Sequence, residues 1–134
     1  MESEIVKNEK TNFIKRFSLI FLILLFLLPG INHFRSPETY YPIIPAYIPN
    51  QYLINILSGL AEILFSVLLI FRRSRNFAVY SLIVLLILFI PAHIYHITIT
   101  ECSGGKLCLP LLFVWIRLLI IHPLLIIWVW TNRK

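Results

Sequence analysis

Four apolar runs, each about as long as the hydrocarbon core of a bilayer is thick, limit what this chain can become: residues 13–32, 51–71, 77–99 and 109–130. Roughly 20 apolar residues in a helix rising about 1.5 Å per residue span about 30 Å of hydrocarbon. Lipid offers no partner to a backbone amide or carbonyl, so a crossing segment must satisfy both groups internally, which a helix does. The expected fold is an all-α integral membrane protein, a single domain over residues 1–134 built as a four-transmembrane-helix bundle. Composition decides against the soluble alternative, because 59% of residues are hydrophobic and only 13% are charged. The formal net charge of +6 raises a nucleic-acid partner. The basic residues sit at the ends of the apolar runs, however, so no nucleic-acid partner is expected and the bilayer itself is the first one.

Those flanks give an orientation. Lys7, Lys10, Lys15 and Arg16 precede the first run, Arg72, Arg73 and Arg75 fill the turn between the second and third, and Arg133 and Lys134 follow the fourth. The other two connections carry Arg35 and Lys106, each offset by an acid, Glu38 and Glu101. The positive-inside rule then makes both termini cytoplasmic and puts residues 34–50 and 100–108 outside. The first run has a basic leader, but Pro29, Gly30 and bulky residues follow its apolar core where a signal-peptidase site needs small ones, so a retained helix is expected. Residues 34–50 hold Pro37, Pro42, Pro45 and Pro49 among tyrosines and isoleucines. Proline at that density opposes a long helix or a sheet strand, while the apolar content opposes a solvated loop. The segment is expected to fold back as an outer lid or re-entrant loop; an interfacial linker with aromatic anchors is the alternative.

Charge within the apolar runs marks where function should be sought, since ionisable groups at membrane depth must face protein or a wet cavity and find partners. Glu62 lies about 16 Å below the outer end of the second run and Arg117 about 12 Å below that of the fourth, at 1.5 Å per residue. Compatible depths make Glu62 and Arg117 a candidate buried ion pair, joined through two parallel hydrogen bonds. Asn55, Ser58, Glu62 and Ser66 recur at helical spacing along one stripe, and Gly59 beside it would let another backbone approach. His33 ends the first run, while His93 and His96 lie about one turn apart near the outer end of the third. His33, Asn55, Ser58, His93 and His96 are therefore candidate lining of a cavity open to the outside, with His93 the natural proton carrier. His122, next to Pro123, reads as a buried hydrogen-bonding group. The depths of the histidines match too loosely for a haem, and no metal-ligand spacing occurs, so no metal site is expected. Cys102 and Cys108, separated by a Ser-Gly-Gly-containing stretch, read as a possible disulfide in an oxidising compartment, with a redox-active dithiol as the alternative.

His33-Phe34, Tyr40-Tyr41-Pro42, Pro45 and Pro49, then Ser58-Gly59-Leu60-Ala61-Glu62-Ile63, Pro91-Ala92-His93 and Trp115-Ile116-Arg117-Leu118 together resemble the DoxX-like family of small four-helix bacterial membrane proteins. Two departures stand out: His93 follows Pro91-Ala92 where the family pattern has asparagine, and Leu118-Leu119-Ile120-Ile121-His122 replaces a Leu-Pro-Leu-Gln stretch. The resemblance implies a multi-pass protein of the bacterial inner membrane, a small subunit or accessory component of a redox or thiol-stress system with a membrane or periplasmic redox partner. A quinone- or thiol-linked oxidoreductase with its site near Glu62 and Arg117, and so with quinone as cofactor, is the alternative. A small-molecule transporter, which in a four-helix chain calls for a homo-oligomer, is a third reading.

Overall fold

A computed structural model of the chain describes residues 1–99 and 110–133, with residues 2–10 described by their backbone alone. The described residues form four long helices and no strand: α1 (Glu2–Arg35), α2 (Gln51–Leu68), α3 (Arg75–Thr98) and α4 (Leu111–Thr131). Each contains a stretch long and apolar enough to cross a membrane, in α1 from Thr11 to Arg35. α1 therefore runs past both ends of the apolar stretch 13–32, and α2 stops three residues short of 71. Cys102 and Cys108 lie outside the described residues.

The burial pattern of α2 is the reverse of that in a soluble bundle. Its buried residues are Asn55, Gly59, Glu62 and Ser66, while Leu53, Leu57, Leu60, Leu64 and Val67 point outward. Small and polar groups face protein and leucines face the surroundings, as expected where lipid is as apolar as leucine and packing selects small residues. Consecutive helices pack against one another, α1 on α2 most extensively. That contact is backbone against backbone. A Cβ on Gly59 would lie 2.7 Å from His33 Cβ and 3.0 Å from the Gly30 carbonyl, and one on Gly30 would lie 3.1 Å from the Gly59 carbonyl. The two glycines are the crossing point of α1 and α2.

An apolar cluster of Leu22, Phe26, Leu69, Ala78, Val79, Leu82, Leu85, Leu86 and Val129 fills the end of the bundle where α2 turns into α3. The turn closes through side chains: Ser74 Oγ donates to the Leu68 carbonyl at 2.8 Å and Arg75 Nε to the Leu69 carbonyl at 3.0 Å. One of the basic residues read for orientation thus also satisfies a carbonyl left orphaned at the end of α2. At this same end Trp128 Nε1 donates to Ser18 Oγ at 2.8 Å, and the Trp128 ring stacks on Phe21. This latch joins α1 to α4.

At the opposite end residues 36–50 fold back over the helices. Two 3₁₀ turns, Pro37–Thr39 and Tyr41–Ile43, lead to buried Ile44 and Pro45, and Gln51 Nε2 donates to the Ile44 carbonyl at 3.0 Å. Proline holds the first position of one turn and the second of the other, where no amide is needed. Asn50 enters α2 with a positive φ of 59°, a conformation asparagine tolerates better than most residues, and its side chain accepts from the Leu53 amide. The segment packs on α1, α2 and α3 as a lid rather than as a linker.

Candidate functional site

Three prolines interrupt the walls beneath the lid. Pro29 lies inside α1 and Pro91 inside α3, and each withdraws the amide that would bond the carbonyl four residues earlier. In α4, Pro123 has the same effect, and just before it the ladder slips: the His122 amide reaches back five residues to the Arg117 carbonyl, and Arg117–Ile121 form a π-helical turn. In an unbroken α-helix residues five apart point roughly 140° away from each other. The wider turn brings Arg117 and His122 onto the same wall.

That wall bounds an open cavity of about 1360 Å³ lined by α1, α2, α3, α4 and the lid. Its lining is chiefly apolar, from Leu25 and Phe26 through Leu57, Leu88 and Phe89 to Leu124 and Trp128. Polar groups converge at the lid end: His33, Tyr40, Ser58, Glu62, His93, Arg117 and His122. A large apolar pocket with a few convergent polar groups is the usual form of a small-molecule site.

His33 is held from three sides. Asn55 Nδ2 donates to the His33 carbonyl at 2.9 Å, and His33 Nδ1 lies 2.7 Å from Asn55 Oδ1. The carbonyl can only accept, so it fixes which way the amide faces; Oδ1 then accepts from His33 Nδ1–H. Asn55 thus satisfies one of the last carbonyls of α1 and sets the tautomer of its imidazole. Tyr40 from the lid stacks on the His33 ring, with centroids 3.6 Å apart and planes 19° apart. Its hydroxyl donates to the Pro29 carbonyl and accepts from Asn32 Nδ2. The remaining ring nitrogen, His33 Nε2, lies 3.8 Å from Glu62 Oε2, a buried oxygen with no hydrogen-bond partner.

The Glu62 carboxylate therefore has its ionic contact with His33, not with Arg117. Glu62 and Arg117 line the same cavity but form no ion pair in contact. Depth along two helices does not measure the distance between them. His33, Ser58 and His93 line the cavity as expected; Asn55 and His96 do not. Asn55, 1% exposed, is pressed into the α1–α2 contact behind His33. His96 sits three residues beyond His93, roughly 60° round the helix. It is buried outside the cavity with Nδ1 unpartnered. His122 is the hydrogen-bonding group its neighbour Pro123 suggests: Nε2–H donates to the Leu86 carbonyl at 2.8 Å, and the ring meets His93 edge-on at 4.8 Å. Among the described residues no cluster of metal-ligating side chains occurs.

Two lining residues were not among those expected to line the cavity. Tyr40 is one of several lid tyrosines, and Trp128 looks like an interfacial anchor. The profile of a family described as Domain of unknown function (DUF8561) matches residues 22–133, which takes in the second part of α1, the lid and the other three helices. No curated protein and no solved structure matches the chain.

Proposed function

The chain belongs to the DUF8561 family, and from its geometry we propose that it is a small membrane component of a redox or thiol-stress system, DoxX-like in kind, that holds a quinone in its cavity. The observation that carries this reading is that Glu62 and Arg117 both line one largely apolar cavity without forming an ion pair in contact. An ion pair in contact would be structural glue. Opposite charges held apart leave room for a ligand that satisfies both. A quinone has two ring oxygens on opposite sides and an apolar tail: one oxygen accepts from the Arg117 guanidinium, the other faces Glu62 and His33, and the tail lies among Leu25, Leu124 and Trp128. Electrons are exchanged with a membrane or periplasmic redox partner.

Purification of the full chain in mild detergent, followed by solvent extraction, tests the reading. Quinone should co-purify with the wild type and fall at least tenfold in Glu62→Gln and in Arg117→Leu. A correctly folded wild type carrying none, and binding no added short-chain quinone, sinks it.

The orientation belongs to the same proposal: a bacterial inner membrane, both termini cytoplasmic and the lid outside. The basic residues flanking the helices support it. Cys102 and Cys108 supply the test. If the two thiols are joined as the sequence suggests and lie outside, a membrane-impermeant maleimide should label intact cells only after reduction. Labelling without reductant removes the disulfide, and labelling only after lysis reverses the orientation.

A further inference from the structure

We propose that His33 and Glu62 act as one acid–base dyad that holds a single proton and presents it to the cavity, with Asn55 as its positioning residue. The inference deepens the reading of the cavity as a ligand site. It begins from a mismatch of hydrogen-bonding roles. Asn55 commits the proton of a neutral His33 to Nδ1, so Nε2 offers only a lone pair. The Glu62 oxygen facing it at 3.8 Å is buried and unpartnered. Two acceptors facing one another at the edge of an apolar cavity repel when both are empty. One proton on either of them, as a carboxylic acid or as an imidazolium beside a carboxylate, turns the repulsion into attraction.

A second proton is opposed by the surroundings. Arg117 from α4 faces the same space with a permanent positive charge, and His93 from α3 adds another titratable ring. Tyr40 of the lid caps His33 with its hydroxyl already engaged at Pro29 and Asn32, so it cannot fill the dyad. The side chains of both members are more than nine-tenths buried, at 6% and 8% exposure, which leaves the cavity as the place where the proton can be used. At 3.8 Å the two acceptors are too far apart to share the proton in a hydrogen bond, so a ligand oxygen entering from that side accepts a hydrogen bond from it while Arg117 donates at the other end. No bond to the ligand breaks or forms in this step. Binding of an acceptor ligand is therefore linked to occupancy of the dyad. Affinity holds while the proton is present and falls tenfold per pH unit once it has left, because only the protonated dyad donates.

Two measurements on the full chain in detergent test this, the first without ligand. Nitrogen NMR of histidine-labelled protein should give His33 as the Nδ1–H tautomer when neutral. Its titration should share one midpoint with the protonated-carboxyl infrared band that disappears in Glu62→Gln, because the pair titrates as a unit. A His33 found as the Nε2–H tautomer, or separate midpoints for the ring and the carboxyl, overturns the dyad. The second measurement is the affinity of a short-chain benzoquinone against pH, expected to show the one-proton slope in wild type and a flat profile in Glu62→Gln. A flat wild-type profile also overturns it. If the ring and carboxyl titrate together and the benzoquinone does not bind, the dyad stands and the quinone reading falls.

Discussion

Replacing Gly59 by alanine should lower the melting temperature in detergent by several degrees and empty the cavity of its ligand. The added Cβ falls 2.7 Å from His33 Cβ and 3.0 Å from the Gly30 carbonyl, and a backbone neighbour cannot swing aside as a side-chain tip can. Overpacking of this kind costs about 1–3 kcal/mol. Relief requires α1 and α2 to separate, which draws His33 away from Asn55 and Glu62 together. Gly30→Ala meets the mirror-image obstruction, at 2.9 Å from Ile63 Cγ1 and 3.1 Å from the Gly59 carbonyl. Once either substitution has opened the crossing, the second has less left to disrupt, so the double variant should lose less than the sum of the two. Melting of the four proteins by circular dichroism decides this. A Gly59→Ala protein as stable as wild type would show that the crossing is looser than the backbone distances require.

Asn55→Leu should have the other large effect. The two side chains share a branched four-atom outline but leucine is the larger, so the change deletes chemistry and also crowds the α1–α2 contact. It removes the donor to the His33 carbonyl at 2.9 Å and the acceptor for His33 Nδ1–H at 2.7 Å, both inside the bundle. A buried group left without its partner costs about 1–3 kcal/mol, and two are left. Ser66→Ala is the control: its hydroxyl donates to Ile63 of its own helix at 2.8 Å, a local bond whose removal strands no other side chain. The same melting assay should therefore show a marked loss for Asn55→Leu and little for Ser66→Ala. Equal losses would mean that Asn55 contributes only as a small polar filler.

The helices were legible because each apolar run is long enough to cross a membrane as a helix, and the polar stripe of α2 because helical periodicity alone gathers Asn55, Glu62 and Ser66. Gly59 was legible as a point of close approach, although its partner Gly30 was not, since nothing in a single sequence states where two helices cross. That crossing explains why His33 is the group nearest the Glu62 carboxylate. Counting residues from the ends of α2 and α4 puts Glu62 and Arg117 at similar depths, and both do face one cavity. Contact depends on lateral distance, which α1 shortens for His33 by pressing its backbone on α2. The π-helical turn was hidden for a different reason. Pro123 announces that the ladder of α4 must fail somewhere nearby, but not that it fails by one extra residue that turns Arg117 toward the wall of His122. The lid was expected from its prolines, while the stacking of Tyr40 on His33 depends on which tyrosine the two 3₁₀ turns carry inward.

The latch between Ser18 and Trp128 spans 110 positions of sequence, and it has a consequence for how the protein is made. Everything that orients His33 and Glu62, from the two glycines to Asn55 and Tyr40, resides in the first two helices and the segment joining them. A ribosome delivering the chain in order completes that hairpin before Arg117 exists. The half of the cavity that holds His33 and Glu62 is thus complete early and stays open on one side until the last helix arrives with the guanidinium and Trp128 fastens the ring of helices shut.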